Sequence, residues 1–186
     1  MTESVLIWRV GVTRPERPPG VPPEPGLVAG LVDLLVDSVE GGASVGFLTP
    51  FSRERAEAFW VAVLADADRG ARIVLVAEDA STAEIVGTVQ LVVAGPENQP
   101  HRADISKMLV HRRARRRGLG EQLMRAAEAA AIDAGRTVLV LDTASPEAER
   151  LYARLGWTRV GEIPDYALWP DGRPVATTIF YKQLRS

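Results

Sequence analysis

The strongest constraint in the sequence is one unbroken passage: an apolar run, a dense arginine cluster, a Gly-x-Gly turn and a long segment striped with apolar residues. It reads Val110-His111-Arg112-Arg113-Ala114-Arg115-Arg116-Arg117-Gly118-Leu119-Gly120, and it predicts a strand that ends in a tight turn with a helix starting directly behind it. Backbone N–H groups at a helix start have no internal acceptor and carry the positive end of the helix dipole, while glycines let an anion approach the main chain closely. Lys107, Arg112, Arg113, Arg115, Arg116 and Arg117 surround this turn with six cations, and no acid lies between Ile105 and Gly120. The passage reads as an anion cradle, and a ligand carrying several phosphates satisfies both of its features. Taken alone, the cluster also fits a solvated basic face or a nucleic-acid patch.

Composition narrows those options. The formal net charge is -2, so the basic field is local, and the chain as a whole is not a basic nucleic-acid binder. No aromatic residue interleaves with the cations between His101 and Tyr152, as a single-strand platform would require. Cysteine is absent, which excludes disulfides, thiolate metal sites and a cysteine acyl-enzyme. The two histidines lack the acidic neighbours of a metal site, so no metal is expected. With 186 residues, 46% of them hydrophobic, the chain suits one domain spanning 1–186. Residues 1–10 lack a cationic leader, and no apolar run reaches the roughly 18 residues that span a bilayer. A soluble, cytoplasmic protein with no membrane partner is expected.

Hydrophobic periodicity sets the element order. Residues 4–12 read as a strand, 14–26 as a stiff proline-rich loop, and Leu27, Leu31, Leu34 and Leu35 as one face of a helix. A second helix follows Ser52, with Ala56, Phe59, Trp60, Val63 and Leu64 on one side; the loop at 41–50 between the two helices is a candidate lid. Residues 73–77 and 85–93 form a hairpin, and 102–110 a third consecutive strand. From Leu119, the residues Leu123, Ala126, Ala127, Ala130, Ala131 and Ala134 form a helical stripe that Gly135 closes. Residues 137–141 are apolar enough for a strand buried on both faces. Ser145-Pro146 then opens a short helix that ends near Gly156. Two strands, 158–163 and 175–183, flank a loop holding Pro164, Pro170 and the Asp171-Gly172 turn. Trp8, Trp60 and Trp157 are read as core, while Tyr166 and Trp169 line either a ligand pocket or a subunit contact.

This order resembles the GCN5-related N-acetyltransferase (GNAT) family. The family signature of Gln or Arg, two residues, Gly, one residue, then Gly or Ala is matched by Arg115-Arg116-Arg117-Gly118-Leu119-Gly120. A second family motif, Leu-Tyr, three residues, Gly and an aromatic, is matched by Leu151-Tyr152-Ala153-Arg154-Leu155-Gly156-Trp157. Either motif alone is weak, whereas the pair at this spacing is specific. From about residue 85 onward, 98–103, Leu141-Asp142-Thr143 and 164–172 also resemble the tabtoxin-resistance acetyltransferase subgroup. Arg112 stands where many members have proline, and Ala144-Ser145 replaces an asparagine that often opens the tyrosine helix.

The resemblance implies an α/β fold with a mixed, mostly antiparallel central sheet flanked by helices and splayed between strands 4 and 5. It implies acetyl-CoA as cofactor and coenzyme A as product. The diphosphate would rest on Arg116 to Gly120, with Arg115 and Leu119 contributing, and the pantetheine arm would run beside Met108, Leu109 and Val110, with Ser145 and Tyr152 nearby. A lysine-like amine with a pKa of about 10.4 needs roughly 4.6 kcal/mol to lose its proton at pH 7, so a base or water chain is required. Asp142 is the first candidate to bind or deprotonate the amine and His101 the second; Asp142 is equally well read as a turn cap. Tyr152, which alone would read as a packed helix residue, corresponds to the family's general acid toward the departing sulfur. A phenol near 10 is a weaker acid than a thiol near 8.5, so full proton transfer is uphill by about 2 kcal/mol. Tyr152 therefore acts as a hydrogen-bond donor or has a shifted pKa. The Val110 N–H would polarise the acetyl oxygen. A small amino-acid-like or antibiotic-like amine is the expected acceptor, with a protein N-terminus or lysine as the alternative. A non-catalytic acyl-CoA sensor is the competing class, and a homodimer is a further implication of the resemblance.

Overall fold

The computed structural model describes residues 5–11 and 26–184; the ends of the first predicted strand and nearly all of the predicted proline-rich loop lie outside them. Among the described residues, seven strands and four α-helices follow the predicted order: β1 Val5–Arg9, α1 Leu27–Glu40, α2 Arg53–Asp68, β2 Arg72–Asp79, β3 Ile85–Val93, β4 Arg102–Val110, α3 Leu119–Asp133, β5 Val138–Thr143, α4 Pro146–Arg154, β6 Thr158–Leu168 and β7 Pro174–Gln183. The strands form one sheet in the order β1-β2-β3-β4-β5-β7-β6. Every neighbouring pair is antiparallel except β4 and β5.

That parallel pair makes the site. β4 and β5 are in register only from Arg102 opposite Val138 to Asp104 opposite Val140. Beyond Asp104, β4 pairs with β3 alone and β5 with β7 alone, so the sheet splits open toward the C-terminal ends of both strands.

Both faces of the sheet are covered, which is why β2 and β3 read as nearly continuous apolar runs. On one face, Leu119, Leu123, Met124, Ala127 and Ala131 of α3 pack with Tyr152, Leu155 and Trp157 on the odd-numbered β2 residues Ile73, Leu75 and Ala77. On the other, α1 and α2 bury Leu31, Leu34, Leu35, Ala56, Trp60 and Val63 against Val74, Val76, Ile85 and Leu109. The observed α3 stripe adds Met124 and leaves Ala134 exposed, because Ala134 is already the C-cap. Gly135 follows at φ 72°, and Arg136 and Gly135 donate to the carbonyls of Ala131 and Ile132. This is a Schellman closure.

The last hairpin is longer than its composition predicts. β6 runs past Pro164 to Leu168, with a register shift between Ile163 and Ala167 that absorbs the proline's missing N–H in a bulge. The predicted loop shrinks to the tip around Asp171-Gly172.

Candidate active site

At the end of β4 the chain turns through a short 3-10 segment, Arg112–Ala114, before α3. Gly118, the N-cap of α3, has φ 78° and no side-chain cap, and a Cβ built there would meet nothing within 4 Å. Its requirement for glycine is conformational. Gly120 differs: a Cβ there would stand 3.1 Å from Leu151 Cδ2, so its role is the close approach of α3 to α4. The first turn of α3 thus presents open, uncapped N–H groups, a geometry that fits a phosphate.

The arginines around this turn do different jobs. Arg112 donates its backbone N–H to Asp37 Oδ2 at 2.9 Å and its Nε to Oδ1 at 2.8 Å. Proline, common at this position in the family, could not make the first bond. Burial alone would raise the Asp37 pKa, but the Arg112 N–H and guanidinium outweigh it and hold the carboxyl below its usual range. Arg113 pairs with Glu84 at 2.8 Å, and the His111 Nδ1 accepts the Arg113 N–H at 3.3 Å. Arg115 Nε donates to the Val110 carbonyl at 3.2 Å. Arg112 and Arg113 therefore fasten the turn to α1 and to the β2–β3 hairpin, while Arg115 lies along the β4 edge.

Register fixes the direction of the β4 edge. His111 N–H donates to Val86 O at 2.9 Å and Val110 stands opposite Gly87. Successive N–H groups on a strand point to opposite edges, so the Val110 N–H points away from β3, into the gap that β5 has left.

Asp142 sits on β5 across that gap. It does not cap the following turn; it accepts from Thr177 Oγ1 of β7 at 2.8 Å. Thr177, which orients the carboxylate from 35 residues away, had no signal in the sequence. Tyr152, on α4, is 4% exposed, and its ring packs between Trp157 and Phe180 at centroid distances of 5.9 and 5.8 Å. Burial, reinforced by the charge of Asp142, pushes its phenol well above the usual value. It stays protonated, and the shift runs opposite to that needed for full proton transfer.

Two sequence expectations change here, those for His101 and Lys107, while Ser145 keeps the N-cap role the sequence predicts. His101 lies at the joined end of the split, where its carbonyl accepts the N–H groups of Thr137 and Val138. It is six residues from Lys107, about 20 Å at roughly 3.3 Å per residue, and it does not converge with Asp142 and Tyr152. Ser145 caps α4, accepting from Ala148 N at 3.3 Å and donating to Glu147 at 3.2 Å; its hydroxyl is engaged by its own helix. Lys107 leaves the arginine cluster altogether. It has φ 48° at a β4 bulge and reaches the α1/α2 face of the sheet, where Nζ lies 5.7 Å from the Phe59 ring and 6.0 Å from the Phe47 ring. Burial, then the charge of Arg72, lowers its pKa, with Asp142 opposing.

The predicted lid, residues 41–50, is tied across the same face. Thr49 donates its N–H and Oγ1 to the Pro170 carbonyl, each at 2.9 Å, and Ser44 Oγ donates to Leu168 O at 3.1 Å. Trp169 lines the cleft between this loop and the hairpin tip, while Tyr166 is exposed on β6.

A split between the fourth and fifth strands, with an open helix N-terminus beside it and a buried phenol behind, defines an acyl-CoA-using transferase fold. The acetyltransferase (GNAT) domain model matches residues 56–159, more than half of the chain. The protein belongs to the GNAT acetyltransferase family and is by class an acetyl-CoA-dependent N-acetyltransferase. Solved structures agree in fold. An N-acetyltransferase from Staphylococcus aureus Mu50 is 16% identical with a TM-score of 0.74, covering 98% of this chain and 99% of its own. A GCN5-related N-acetyltransferase from Kribbella flavida is 18% identical with a TM-score of 0.74, covering 98% and 99%. A Salmonella typhimurium protein solved with acetyl-CoA is 20% identical with a TM-score of 0.71, covering 86% and 89%.

Among the described residues no helix is long and apolar enough to cross a membrane.

Proposed function

We propose that the chain, as a single domain, acetylates the primary amine of a small amino-acid-like or antibiotic-like acceptor by direct attack. The observation that carries this reading is the split itself, with the Val110 N–H on one lip, Asp142 on the other and the Tyr152 phenol behind. Bound acetyl-CoA supplies the thioester acyl group. The chain's residues supply the rest. The N–H groups from Arg116 to Gly120, with Leu119 between the glycines and Arg115 and Arg117 alongside, hold the diphosphate. Each helix-terminal contact contributes about 0.3–2 kcal/mol. The exposed edge Met108, Leu109 and Val110 offers backbone groups to the pantetheine amides, with Ser145 fixing the start of α4 beside it.

The Val110 N–H donates to the acetyl oxygen. Asp142, aimed by Thr177, orients the acceptor amine and receives its proton directly or through water. Tyr152 donates a hydrogen bond to the leaving sulfur and keeps its own proton, in line with its raised pKa. Cysteine is absent from the chain, so no cysteine acyl-enzyme competes with direct transfer.

The likeness to the tabtoxin-resistance subgroup, a role in antibiotic resistance and a cytoplasmic setting belong to the same proposal. So does a homodimer, supported by the outward-facing Val160, Ile163, Tyr166 and Leu168 on edge strand β6. The test is thiol release from acetyl-CoA with a panel of tabtoxinine-β-lactam, amino acids, aminoglycosides and short peptides, beside calorimetry of acetyl-CoA binding. Turnover confined to small amines supports the reading. Turnover confined to peptides replaces it with protein acetylation, and binding without turnover replaces it with an acyl-CoA sensor.

A further inference from the structure

The β3–β4 register slips between Thr88 opposite Leu109 and Gln90 opposite Ser106, so Val89 faces two residues of β4, Lys107 and Met108. Met108 packs toward α3, and Lys107, the extra residue, is turned to the opposite face. Its ammonium lies over Phe59 and Phe47, and a Cβ on Gly46 of the lid loop would stand 3.7 Å from it. No carboxylate of a described residue forms an ion pair with it.

Its surroundings are rich in donors. Arg72, which repels it electrostatically, is engaged by Gln90 Oε1 at 2.7 Å and Asp66 at 3.1 Å. Among the described residues, the Arg72 Nε and the Gln90 amide nitrogen are buried without an acceptor. Across the split, Asp142 attracts Lys107 without contacting it. A positive pole on β4 and a negative pole on β5 thus face each other over the opening where the acceptor must approach the Val110 N–H.

We propose that Lys107, presented by the β4 bulge into its two-phenylalanine seat, is the specificity-determining residue of the acceptor site, holding a carboxylate of the acceptor while Asp142 takes its amine. The site then selects zwitterionic amines and rejects polycations. This rests on the N-acetyltransferase reading above. A half-buried ammonium with no counter-ion among the described residues regains a charge-assisted hydrogen bond from an acceptor that carries an anion.

The experiment compares matched acceptors in thiol release with the full chain: free L-amino acids, their methyl esters and amides, and an aminoglycoside. Esterification lowers the amine pKa and favours the ester on intrinsic reactivity, so a preference for the acid requires a binding contact. The expected result is a kcat/KM about 10- to 100-fold higher for free acids than for esters or amides. Lys107→Met should erase that gap while calorimetric acetyl-CoA affinity stays within two-fold, and Lys107→Glu should shift preference toward amides. Lys107→Gln, which keeps the side-chain reach without the charge, gives the same reading if Lys107→Met folds poorly. Esters and amides working as well as acids, or a gap that survives in Lys107→Met, overturns the proposal and leaves the acetyltransferase reading intact. No thiol release with any amine, despite acetyl-CoA binding, overturns both.

Discussion

Glu128 of α3 joins the two helices that shape the site, and its removal gives the sharpest stability prediction. Its Oε1 accepts the Trp157 indole N–H at 2.9 Å and its Oε2 the Lys182 ammonium at 2.7 Å. Lys182 also donates to Leu155 O at 2.7 Å, so α3, the end of α4 and β7 meet at one carboxylate. Glu128 and Lys182 side chains are only 14% and 21% exposed, which puts the pair nearer the buried than the surface regime. Glu128→Ala orphans an indole donor, at about 1–3 kcal/mol, and removes one partner of a largely buried ion pair, at about 3–5 kcal/mol. The Leu155 carbonyl remains to Lys182, so the two costs overlap and a net loss of about 3–5 kcal/mol is expected. For a chain of this size that lowers Tm by roughly 6–20 °C. Urea unfolding followed by tryptophan fluorescence and circular dichroism measures it, since Trp157 itself reports the lost contact. Glu128→Met combined with Lys182→Met, which leaves no unpaired charge, should be more stable than Glu128→Ala alone. A Glu128→Ala loss below about 0.5 kcal/mol, or single costs that simply add in the double variant, would refute the reasoning. Because Trp157 braces the Tyr152 ring, kcat should fall even in the folded fraction.

Three other expectations follow from the site. Tyr152→Phe should lower kcat by about 100-fold while changing acetyl-CoA affinity less than three-fold, since a donor acting as charge develops is worth about 10²–10³; in the wild type, no loss of activity traceable to this phenol should appear as pH rises through 10, the ordinary phenol value. Gly118→Ala places a side chain at φ 78° in open space, so the chain should fold about 1–2 kcal/mol less stably and bind acetyl-CoA several-fold more weakly; unchanged binding by calorimetry would remove the turn from the cradle. Asp37 has a lowered folded pKa, so its contribution is fully present above its unfolded value near 3.9 and is lost as pH falls through the lower folded value. Asp37→Asn should therefore destabilise the chain at neutral pH and flatten the acid limb of a urea-midpoint profile below about pH 4.

Local chemistry carried most of what the sequence revealed. Ser52 and Ser145 as N-caps, Gly118 and Gly135 in left-handed turns, and the apolar stripe of α3 are encoded within a few residues of where they act, because helix starts and ends depend on nearby backbone groups. The two GNAT motifs inherit that locality, which is why the glycine turn before α3 and the tyrosine helix were legible. Pairing over long separations was not. The Asp37 clamp on Arg112 spans 75 residues and the Thr177 hold on Asp142 spans 35, and no spacing rule connects such positions. His101 resembled a base only until the parallel register placed it at the closed end of the split.

Lys107 shows the division most clearly. By sequence it is the first of six cations around a turn, but one extra residue in the β4 register reverses the face it occupies. A strand alternates sides with a period of two, so a single-residue slip, set by pairing with β3 and invisible in composition, decides whether a charge faces α3 or the α1/α2 side of the sheet. The sequence alone determined that this chain builds a strand, a glycine turn and a helix. The tertiary structure alone decided which side of the sheet each charge serves.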